Sequence, residues 1–458
     1  MNREPDLVRF QKQLYSHLDN RANAVIELLN ALSGNTQMRS VVELSLHPLF
    51  GRQYSELYRA IDGFHLPEAV QWRLMAPFLP RPQRRPFWLL SVDVVPHPRP
   101  YAATLADRTL VYHPQAVRSQ KPITIGHAYS TLLLLPEREA ESPPWVLPLS
   151  VRRRASDQDQ ESVGADQVQA LLTHPDLPFR RELCVVVGDA SYSKRSFLAR
   201  QSACPNLVLI ARLRSNRVCY RAPEEQGPRT RGHPRWYGPR FALNDPATWP
   251  APDQEETFQM TSARGHLQQV HIQAWHDMLL RGTREWPLHR HPFTLVRIQV
   301  TDEEGKPLHR RPLWLLVMGP RRRELSLRDI YCAYTQRASH EHYHRFSKQR
   351  LLATAYQTPD GEREEGWWRL TQLAYFQLWL ARSLAQALPR PWERYLPRMA
   401  AQVLSPSLVQ RDFRRLIRQL GTPTRAAKPR GKSPGRRKGT RLPPRIRHPV
   451  LRKAAQKA

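Results

Sequence analysis

Four polar residues in the last third of the chain are spaced so that one face of a helix would carry all of them. Tyr334, Arg337, Glu341 and Lys348 follow one another at intervals of three, four and seven residues, and we predict a single helix over residues 333–348. One carboxylate flanked by two cations and a phenol can bind a metal ion while the cations hold a phosphate. The same spacing also fits a solvated helix face, because Glu and Arg often form ion pairs at i and i+4.

Two aspartates lie in segments that are otherwise apolar. Asp93 lies within residues 86–95, which are rich in β-branched and aromatic residues and are predicted to form a buried strand. Asp189 ends a second predicted strand over residues 183–189. A buried carboxylate is costly unless it is paired or bound to a metal, and ligand sites form at strand ends in open α/β sheets. Either aspartate alone is better explained as a cap of the following loop, but the two together with Glu341 favour a site.

Three acidic residues from two strands and a helix are a minimal set for phosphodiester chemistry with two metal ions. That chemistry needs carboxylates that hold ions about 3.5–4 Å apart, one at the attacking oxygen and one at the leaving oxygen. Mg²⁺ prefers oxygen ligands and usually takes one or two carboxylates per ion. Asp93, Asp189 and Glu341 are therefore predicted to be catalytic metal ligands.

The helix motif resembles the signature of a known family. The arrangement Tyr334-x2-Arg337-x3-Glu341-x6-Lys348 matches, without a gap or a substitution, the Y-R-E-K signature of bacterial insertion-sequence transposases of the DDE type. By this resemblance, Glu341 is similar to the third acidic catalytic residue of that family. The resemblance also implies that Tyr334, Arg337 and Lys348 contact DNA phosphates near the cleavage site.

The resemblance extends to both aspartates and covers about residues 86–355. Asp93 in its strand, and Asp189 in the segment Val-Gly-Asp-Ala-Ser-Tyr-Ser, are similar to the first two acidic motifs of the family, down to the Tyr192 that follows. Members have a ribonuclease-H-like fold, often with a β-rich insertion between the second aspartate and the glutamate. The expected fold class is therefore α/β, with a ribonuclease-H-like mixed sheet core, a β-rich insertion, and helical N- and C-terminal regions.

The function that the resemblance implies is DNA transposition. Such an enzyme binds element ends in double-stranded DNA, cleaves phosphodiester bonds with two Mg²⁺ or Mn²⁺ ions, and transfers 3′-OH ends into target DNA, acting as a homodimer in the synaptic complex. Two alternatives stay open: a catalytically inactive, transposase-derived DNA-binding protein, and a related metal-dependent nuclease without strand transfer. The presence of all three acidic residues argues against the first, and the sequence does not separate cutting from joining.

Composition and charge also favour a nucleic-acid partner. Lys and Arg number 71 against 40 Asp and Glu, which gives a net charge of +31 and a pI of about 10.9; such a bias suits a polyanion. The four cysteines are scattered without a Cys-x2-Cys pair, so neither a zinc site nor a disulfide framework is predicted. No signal peptide and no membrane span is recognised. We expect a cytoplasmic, nucleoid-associated bacterial protein.

The pattern of apolar residues, Pro and Gly divides the chain into five regions. A surface loop is predicted at residues 155–167, followed by a helix over residues 163–172. The last region holds 13 Lys or Arg and no Asp or Glu, and would add salt-sensitive DNA affinity. The predicted regions are 1–80 (helical, either DNA-binding or packed on the core), 86–214 with 311–390 (catalytic domain), 215–310 (β-rich insertion), 391–420 (C-terminal helical region) and 421–458 (basic, disordered tail).

A helix predicted over residues 406–420 carries cations along one face and apolar residues along another. We interpret it as a docked helix with a DNA-facing side, and an ordinary surface helix is the alternative. The candidate DNA-binding residues of this helix are Arg411, Arg414, Arg415 and Arg418.

Several histidines and tryptophans are weaker candidates. His340, His342 and His344 alternate beside the predicted metal ligand on the helix, and imidazoles next to a hard-cation site are expected to contact phosphate or solvent rather than zinc. His127 is expected to be a hydrogen-bonded core residue. Tryptophans of the insertion could hold a flipped base, but buried packing is the expected role of each. They are Trp236, Trp249, Trp275 and Trp286.

Overall fold

The computed structural model describes residues 4–113, 122–138, 142–202, 204–223, 236–262, 265–387, 392, 404–429, 435, 437–441 and 443–452. The N-terminal region is helical, as predicted, because its apolar residues recur at helical spacing and bury one stripe of each helix. Leu7, Phe10 and Leu14 of the first helix are fully buried. The helices are α1 (Asp6–Ser16), α2 (Ala22–Ser33), α3 (Tyr54–Asp62) and α4 (Glu68–Met75).

A mixed sheet of ten strands forms the centre of the described structure. In chain order the strands are β1 (Trp88–Pro98), β2 (Thr109–Tyr112), β3 (Ile123–Leu134), β4 (Leu147–Arg154), β5 (Cys184–Gly188), β6 (Leu207–Leu213), β7 (Val218–Tyr220), β8 (Arg240–Ala242), β9 (Gln254–Thr261), β10 (Leu267–Met278), β11 (Phe293–Thr301) and β12 (Leu313–Met318). β7 and β8 pair with each other outside the large sheet.

The strand order confirms the predicted ribonuclease-H-like mixed sheet. The order is β2-β3-β1-β5-β6-β12-β11-β10-β9, and β4 pairs with β3. β5 lies between β1 and β6 and is parallel to both, whereas β3 is antiparallel to β1. All five residues of β5 are buried, as expected for a central strand that is covered on both faces.

The strands of the predicted insertion extend this sheet. Residues 215–310 contain β7 to β11, so the region is β-rich. Its long strands are not a separate layer, because β11 pairs with β12 and β12 pairs with β6. β10 and β9 follow towards the edge. β9, β10 and β11 of the predicted insertion therefore lie in one continuous hydrogen-bonded sheet with the strands of the predicted catalytic domain.

Six further α-helices lie in the described part of the chain: α5 (Gln160–Thr173), α6 (Arg195–Gln201), α7 (Leu327–Gln336), α8 (Ala338–Arg350), α9 (Gly361–Ala381) and α10 (Pro406–Leu420). None of the described helices is long and apolar enough to cross a membrane. The surface loop predicted at residues 155–167 ends at residue 159, because α5 begins at Gln160, and the helix predicted over residues 163–172 is confirmed. Ala165, Val168 and Leu172 are buried on one side of α5, and this tertiary packing outweighs the polar composition at the start of the helix.

The single helix predicted over residues 333–348 is two helices. α7 ends at Gln336 and α8 begins at Ala338. At the junction, the N–H of Arg337 donates to the carbonyl of Tyr334, and the N–H of His340 donates to the carbonyl of Arg337. These bonds span three residues, which is the tighter spacing of a 3₁₀ turn. Residue spacing could not reveal the break, because the backbone of Arg337 keeps helical dihedral angles.

The C-terminal helix α10 is amphipathic and docked, as predicted, and it packs on α9 and α2. The tail that follows contacts the body of the protein at two places. The N–H of Arg425 donates to Asn23 Oδ1 at 2.7 Å, and the N–H of Leu451 donates to the carbonyl of Arg108, beside β2, at 2.8 Å. A fully disordered tail does not account for these contacts.

Candidate active site

The two predicted aspartates lie just past the paired part of two neighbouring parallel strands, Asp93 in the middle of β1 and Asp189 directly after β5. Ser91 of β1 pairs with Val187 of β5, so Asp93 and Asp189, each two residues further on, lie level with each other. Because side chains alternate along a strand, both aspartates belong to the same face of the sheet. This is the edge of an α/β sheet at which ligand sites form.

The turn after β5 fixes the position of Asp189. Its Oδ1 accepts hydrogen bonds from the N–H and the hydroxyl of Ser191, while Tyr192 folds back on Gly188. A Cβ atom at Gly188 would lie 2.8 Å from Cβ of Tyr192, so glycine is required there. Burial, and then the charges of Asp93 and Asp189, raise the pKa of the Tyr192 phenol well above its usual value. The Gly-Asp-Ala-Ser-Tyr segment is therefore a compact support for the second aspartate.

Arg337, at the junction of α7 and α8, links the first acid to the third. Its Nη1 lies 3.3 Å from Asp93 Oδ2, and its Nη2 lies 3.6 Å from Glu341 Oε1. The Glu341 side chain is 65% exposed, whereas that of Asp93 is 22% exposed. The charges of Asp93 and Asp189 raise the pKa of Arg337 although burial opposes the shift. One guanidinium thus lies in the field of all three predicted acids.

The protonation of Asp93 reflects this crowding. Burial raises the pKa of Asp93 to about 6, and the charges of Asp189 and Glu341 add to the shift while Arg337 opposes it. A raised pKa means that the ionised form lacks sufficient compensating positive charge. A divalent cation beside these oxygens would supply that charge.

The donor set fits Mg²⁺ or Mn²⁺ by its chemistry, although the side chains do not form a closed cage. Carboxylate oxygens without sulfur or nitrogen donors are the ligands that these ions prefer. Within the described residues, no group of three or more His, Cys, Asp or Glu side chains is placed to hold an ion. Glu341 is the exposed member of the set.

The helix that carries Glu341 has an unusual inner face. The buried positions of α8 all bear a polar group, although Tyr343 also packs on Tyr375 with ring centroids 5.0 Å apart. They are Ser339, His340, Tyr343 and Ser347.

Two histidines of α8 converge on Thr131 of β3. Thr131 Oγ1 lies 2.8 Å from His340 Nε2 and 3.0 Å from His344 Nε2. It also lies 3.2 Å from the carbonyl oxygen of Asp93. A hydroxyl has one donor and two acceptor sites, so every contact is satisfied when Thr131 donates to Asp93 and accepts from both rings. Ser91 then donates to His340 Nδ1 at 2.8 Å, and this network joins α8 to β1.

Both of these imidazoles are neutral. Burial lowers the pKa of His340 well below its usual value, and the neighbouring His344 and Arg337 add to the shift. Burial and the neighbouring Lys348 lower the pKa of His344 to about 3. The expectation that these rings contact phosphate or solvent is wrong, since both hydrogen-bond within the protein; His342 is exposed. Exposed and buried histidines are identical in a sequence, so no local signal separated them.

Tyr334 and Lys348, the ends of the helix motif, are both half-buried. Burial raises the pKa of Tyr334, and the nearby cations Arg337 and Arg212 oppose that shift. Burial lowers the pKa of Lys348, and the charge of Asp93 opposes it. Both side chains therefore lie within the electrostatic reach of the carboxylates.

Arg212 is a site residue that the sequence analysis missed. Gly188 of β5 pairs with Ala211 of β6, so Arg212 lies level with Asp189 on the next strand. It is the only exposed residue of β6. A lone arginine in the segment Leu-Val-Leu-Ile-Ala-Arg-Leu was the available signal, because a charge inside an apolar strand needs a reason.

The arginines of α10 lie on the helical layer and not at the edge of the sheet that carries the aspartates. Arg414 and Arg418 are exposed, and Arg411 is half-buried. Arg415 forms an ion pair with the buried Asp412 at 2.5 Å, so part of its charge is already compensated.

The tryptophans of the insertion differ in burial. Trp275 is fully buried, as expected, and the half-buried Trp249 packs on it with ring centroids 6.4 Å apart. Trp236 is 44% exposed and stacks on His289 at 4.3 Å, so buried packing does not describe it. Trp286 is half-buried.

A buried acid at the start of α9 was also missed. Glu364 is fully buried and accepts hydrogen bonds from Arg99, from Tyr129 (2.6 Å) and from His127 Nδ1 (2.6 Å). His97 Nδ1 lies 3.4 Å away. The expectation that His127 is a hydrogen-bonded core residue is confirmed. The cluster ties α9 to β1 and β3, and its only signal was the presence of polar residues in buried strands.

The family described as DDE superfamily endonuclease matches residues 13–280, which is more than half of the chain. The matched range includes Asp93 and Asp189 and ends before Glu341. No curated protein matches the chain. With its ribonuclease-H-like sheet and this match, the chain belongs to the DDE superfamily of endonucleases.

Proposed function

We propose that the protein is a DNA transposase of the Y-R-E-K group from a bacterial insertion sequence, which cleaves element ends and transfers their 3′-OH ends into target DNA. The observation that carries the proposal is the position of Arg337, 3.3 Å from Asp93 and 3.6 Å from Glu341. This position brings together acids that are far apart in sequence and the cations of one short motif. Endonuclease chemistry follows from family membership, and strand transfer is the proposed addition.

Asp93, Asp189 and Glu341 are proposed to hold two Mg²⁺ or Mn²⁺ ions. Bound ions would activate the attacking hydroxyl or water and neutralise the leaving oxygen. The protein fixes two ligands on adjacent strands and carries the third on α8. The raised pKa of Asp93 supports this role, because it shows a carboxylate in need of positive charge.

Tyr334, Arg337 and Lys348 are proposed to contact DNA phosphates beside the cleaved bond. A guanidinium can hold two phosphate oxygens at once, and Arg337 becomes available for this when metal ions replace it beside the carboxylates. Lys348 is half-buried and acts as a point charge on a neighbouring phosphate.

Other parts of the chain are proposed to bind DNA away from the cleaved bond and to support a homodimeric synaptic complex. The basic tail would add salt-sensitive affinity. We retain the proposed regions 1–80, 86–214 with 311–390, 215–310, 391–420 and 421–458, and a cytoplasmic, nucleoid-associated location. The proposed DNA contacts on α10 are Arg411, Arg414, Arg415 and Arg418.

The proposal is tested with the full chain and a plasmid that carries the DNA flanking its coding region. In Mg²⁺ we expect cleavage at short inverted repeats and joining of the free 3′-OH ends to a second plasmid, both abolished by a chelator. Cleavage without joining would identify a nuclease that lacks strand transfer. Binding without any cleavage would identify an inactive DNA-binding protein. Either result would overturn the proposed strand transfer.

The Thr131→Val protein tests how α8 is positioned. Valine has the shape of threonine but leaves two buried imidazole N–H groups without an acceptor, which loosens α8. We expect kcat for cleavage to fall by about 10-fold, KM for DNA to change little, and half-maximal activity to need more Mg²⁺.

Thr124→Val is the matched control, since Thr124 is a half-buried threonine on the same strand. That protein should retain the Mg²⁺ dependence of the wild type. An unchanged Mg²⁺ requirement in Thr131→Val would show that the hydroxyl does not position the site.

A further inference from the structure

A polar cavity of about 460 Å³ opens beside the second aspartate. Ser191, which donates two hydrogen bonds to Asp189, lines this cavity. Ser191 therefore links the cavity directly to Asp189, a proposed metal ligand. The charged lining residues of the cavity are Arg154, Asp159, Glu161, Lys194, Arg214 and Arg217.

The chain path explains why cations gather here. β5 and β6 end side by side, because Gly188 pairs with Ala211. The chain leaves β6 through a turn in which the N–H of Arg217 donates to the carbonyl of Arg214 at 3.0 Å. Arg212, Arg214 and Arg217 thus lead from the level of Asp189 into the cavity.

The charges of the cavity do not balance internally. Lys194 Nζ lies 2.7 Å from Glu161 Oε1, which compensates that pair. Arg154 has a buried Nε for which the described structure contains no hydrogen-bond acceptor. Neither Arg214 nor Arg217 forms an ion pair within 4.0 Å among the described residues. Asp159 and Glu161 also line the cavity, so four cations face two carboxylates and the lining keeps a net charge of +2.

We infer that this cavity binds a backbone phosphate of the DNA strand that continues past the cleaved bond on the Asp189 side of the site. Guanidinium groups bind phosphate oxygens in pairs with matched geometry, and the cavity is open enough to admit the backbone. Lys348 and Arg337 hold the strand on one side of the carboxylates, and the cavity holds it on the other. This inference rests on the proposed function and adds the direction in which the strand leaves.

The inference is tested first by modification of arginines with phenylglyoxal in the full chain, with and without a short DNA duplex of arbitrary sequence and without divalent metal. DNA should slow the modification of Arg214 and Arg217. It should not protect Arg180 and Arg181, an exposed pair that precedes the opposite end of β5. Equal modification of all four arginines would overturn the cavity. It would leave the proposed function intact, because the cleavage and joining of plasmid DNA test that function independently.

A second measurement compares two double variants by DNA affinity over a range of salt concentrations. The variant Arg214→Gln with Arg217→Gln should lower the slope of log affinity against log salt by roughly 2, because each lost phosphate contact removes about one unit. The variant Arg180→Gln with Arg181→Gln should keep the wild-type slope. A wild-type slope in the cavity variant would overturn the inference.

Discussion

The Asp93→Asn protein is expected to lose metal-dependent DNA cleavage by roughly a thousandfold or more, because one ligand of the proposed metal pair is gone. The metal-free protein, however, should become more stable. Burial raises the pKa of Asp93 to about 6, so the ionised carboxylate costs the fold free energy that the neutral amide does not. Allowing for its partial exposure and for Arg337, we expect a gain of about 1–2 kcal/mol at pH 7.

The stability difference between the wild type and Asp93→Asn should depend on pH. A carboxyl group with a raised pKa favours the fold at low pH, and that contribution is lost as the pH rises through the folded-state pKa. The thermal stabilities of wild type and variant should therefore be similar near pH 4 and separate by pH 7, which calorimetry can measure.

Asp107→Asn is the matched control. Asp107 has a φ of 59°, a conformation that asparagine tolerates, and it pairs with Arg153. Although burial opposes the shift, hydrogen bonds from Ser156 and Arg153 lower its pKa. The control should keep cleavage and lose less than about 1 kcal/mol. A destabilised Asp93→Asn protein that still cleaves DNA would contradict the assignment of this site.

Glu364→Gln should unfold the protein at a much lower urea concentration. The substitution leaves Arg99, His97 and His127 around a neutral amide, and breaking a buried ion pair from one side costs about 3–5 kcal/mol. Burial alone would raise the pKa of Glu364, but hydrogen bonds and charges from His127 and His97 hold it well below its usual range. Its stabilising effect is thus present above pH 4.5 and is lost as the pH falls through the lowered folded-state pKa.

Glu365→Gln serves as the control for this experiment. Glu365 is the next residue of α9. It forms a partly exposed ion pair at 2.7 Å with Arg369, one helical turn further on. We expect a loss below about 1 kcal/mol. Equal urea midpoints for the two variants at pH 7 would show that the Glu364 cluster does not stabilise the fold.

The strands and their aspartates could be predicted because local physics dominates there. Asp93 and Asp189 interrupt or end apolar runs, and such runs form central strands whatever the rest of the chain does. The register that sets the two aspartates level with each other could not be read, since pairing joins residues that are far apart in sequence. The position of Arg212 in the site could not be predicted for the same reason, because it depends on the pairing of β6 with β5.

The helix motif was predicted as one helix, and this shape is wrong. The spacing from Tyr334 to Lys348 suggested one stripe, but a tighter turn at Arg337 divides it into two helices. Helical periodicity predicts which residues share a face of a helix. It does not reveal a break at which the backbone keeps helical dihedral angles. The polar inner face of α8 was hidden too, because His340 and Ser347 are residues usually found at the surface.

The pairing of β6 with β12 has a consequence for the order in which the protein folds. Leu315 pairs with Arg212 although about a hundred residues separate them in sequence. While the ribosome makes the intervening segment, the outer side of β6 has no strand beside it, and such an edge invites pairing with other chains. Closure of this edge is a long-range event and is expected to be slow. Glu341 follows β12 in the chain, so the ribosome makes it only after the strand that pairs with β6. A nascent chain therefore lacks the third proposed metal ligand until β12 has been made.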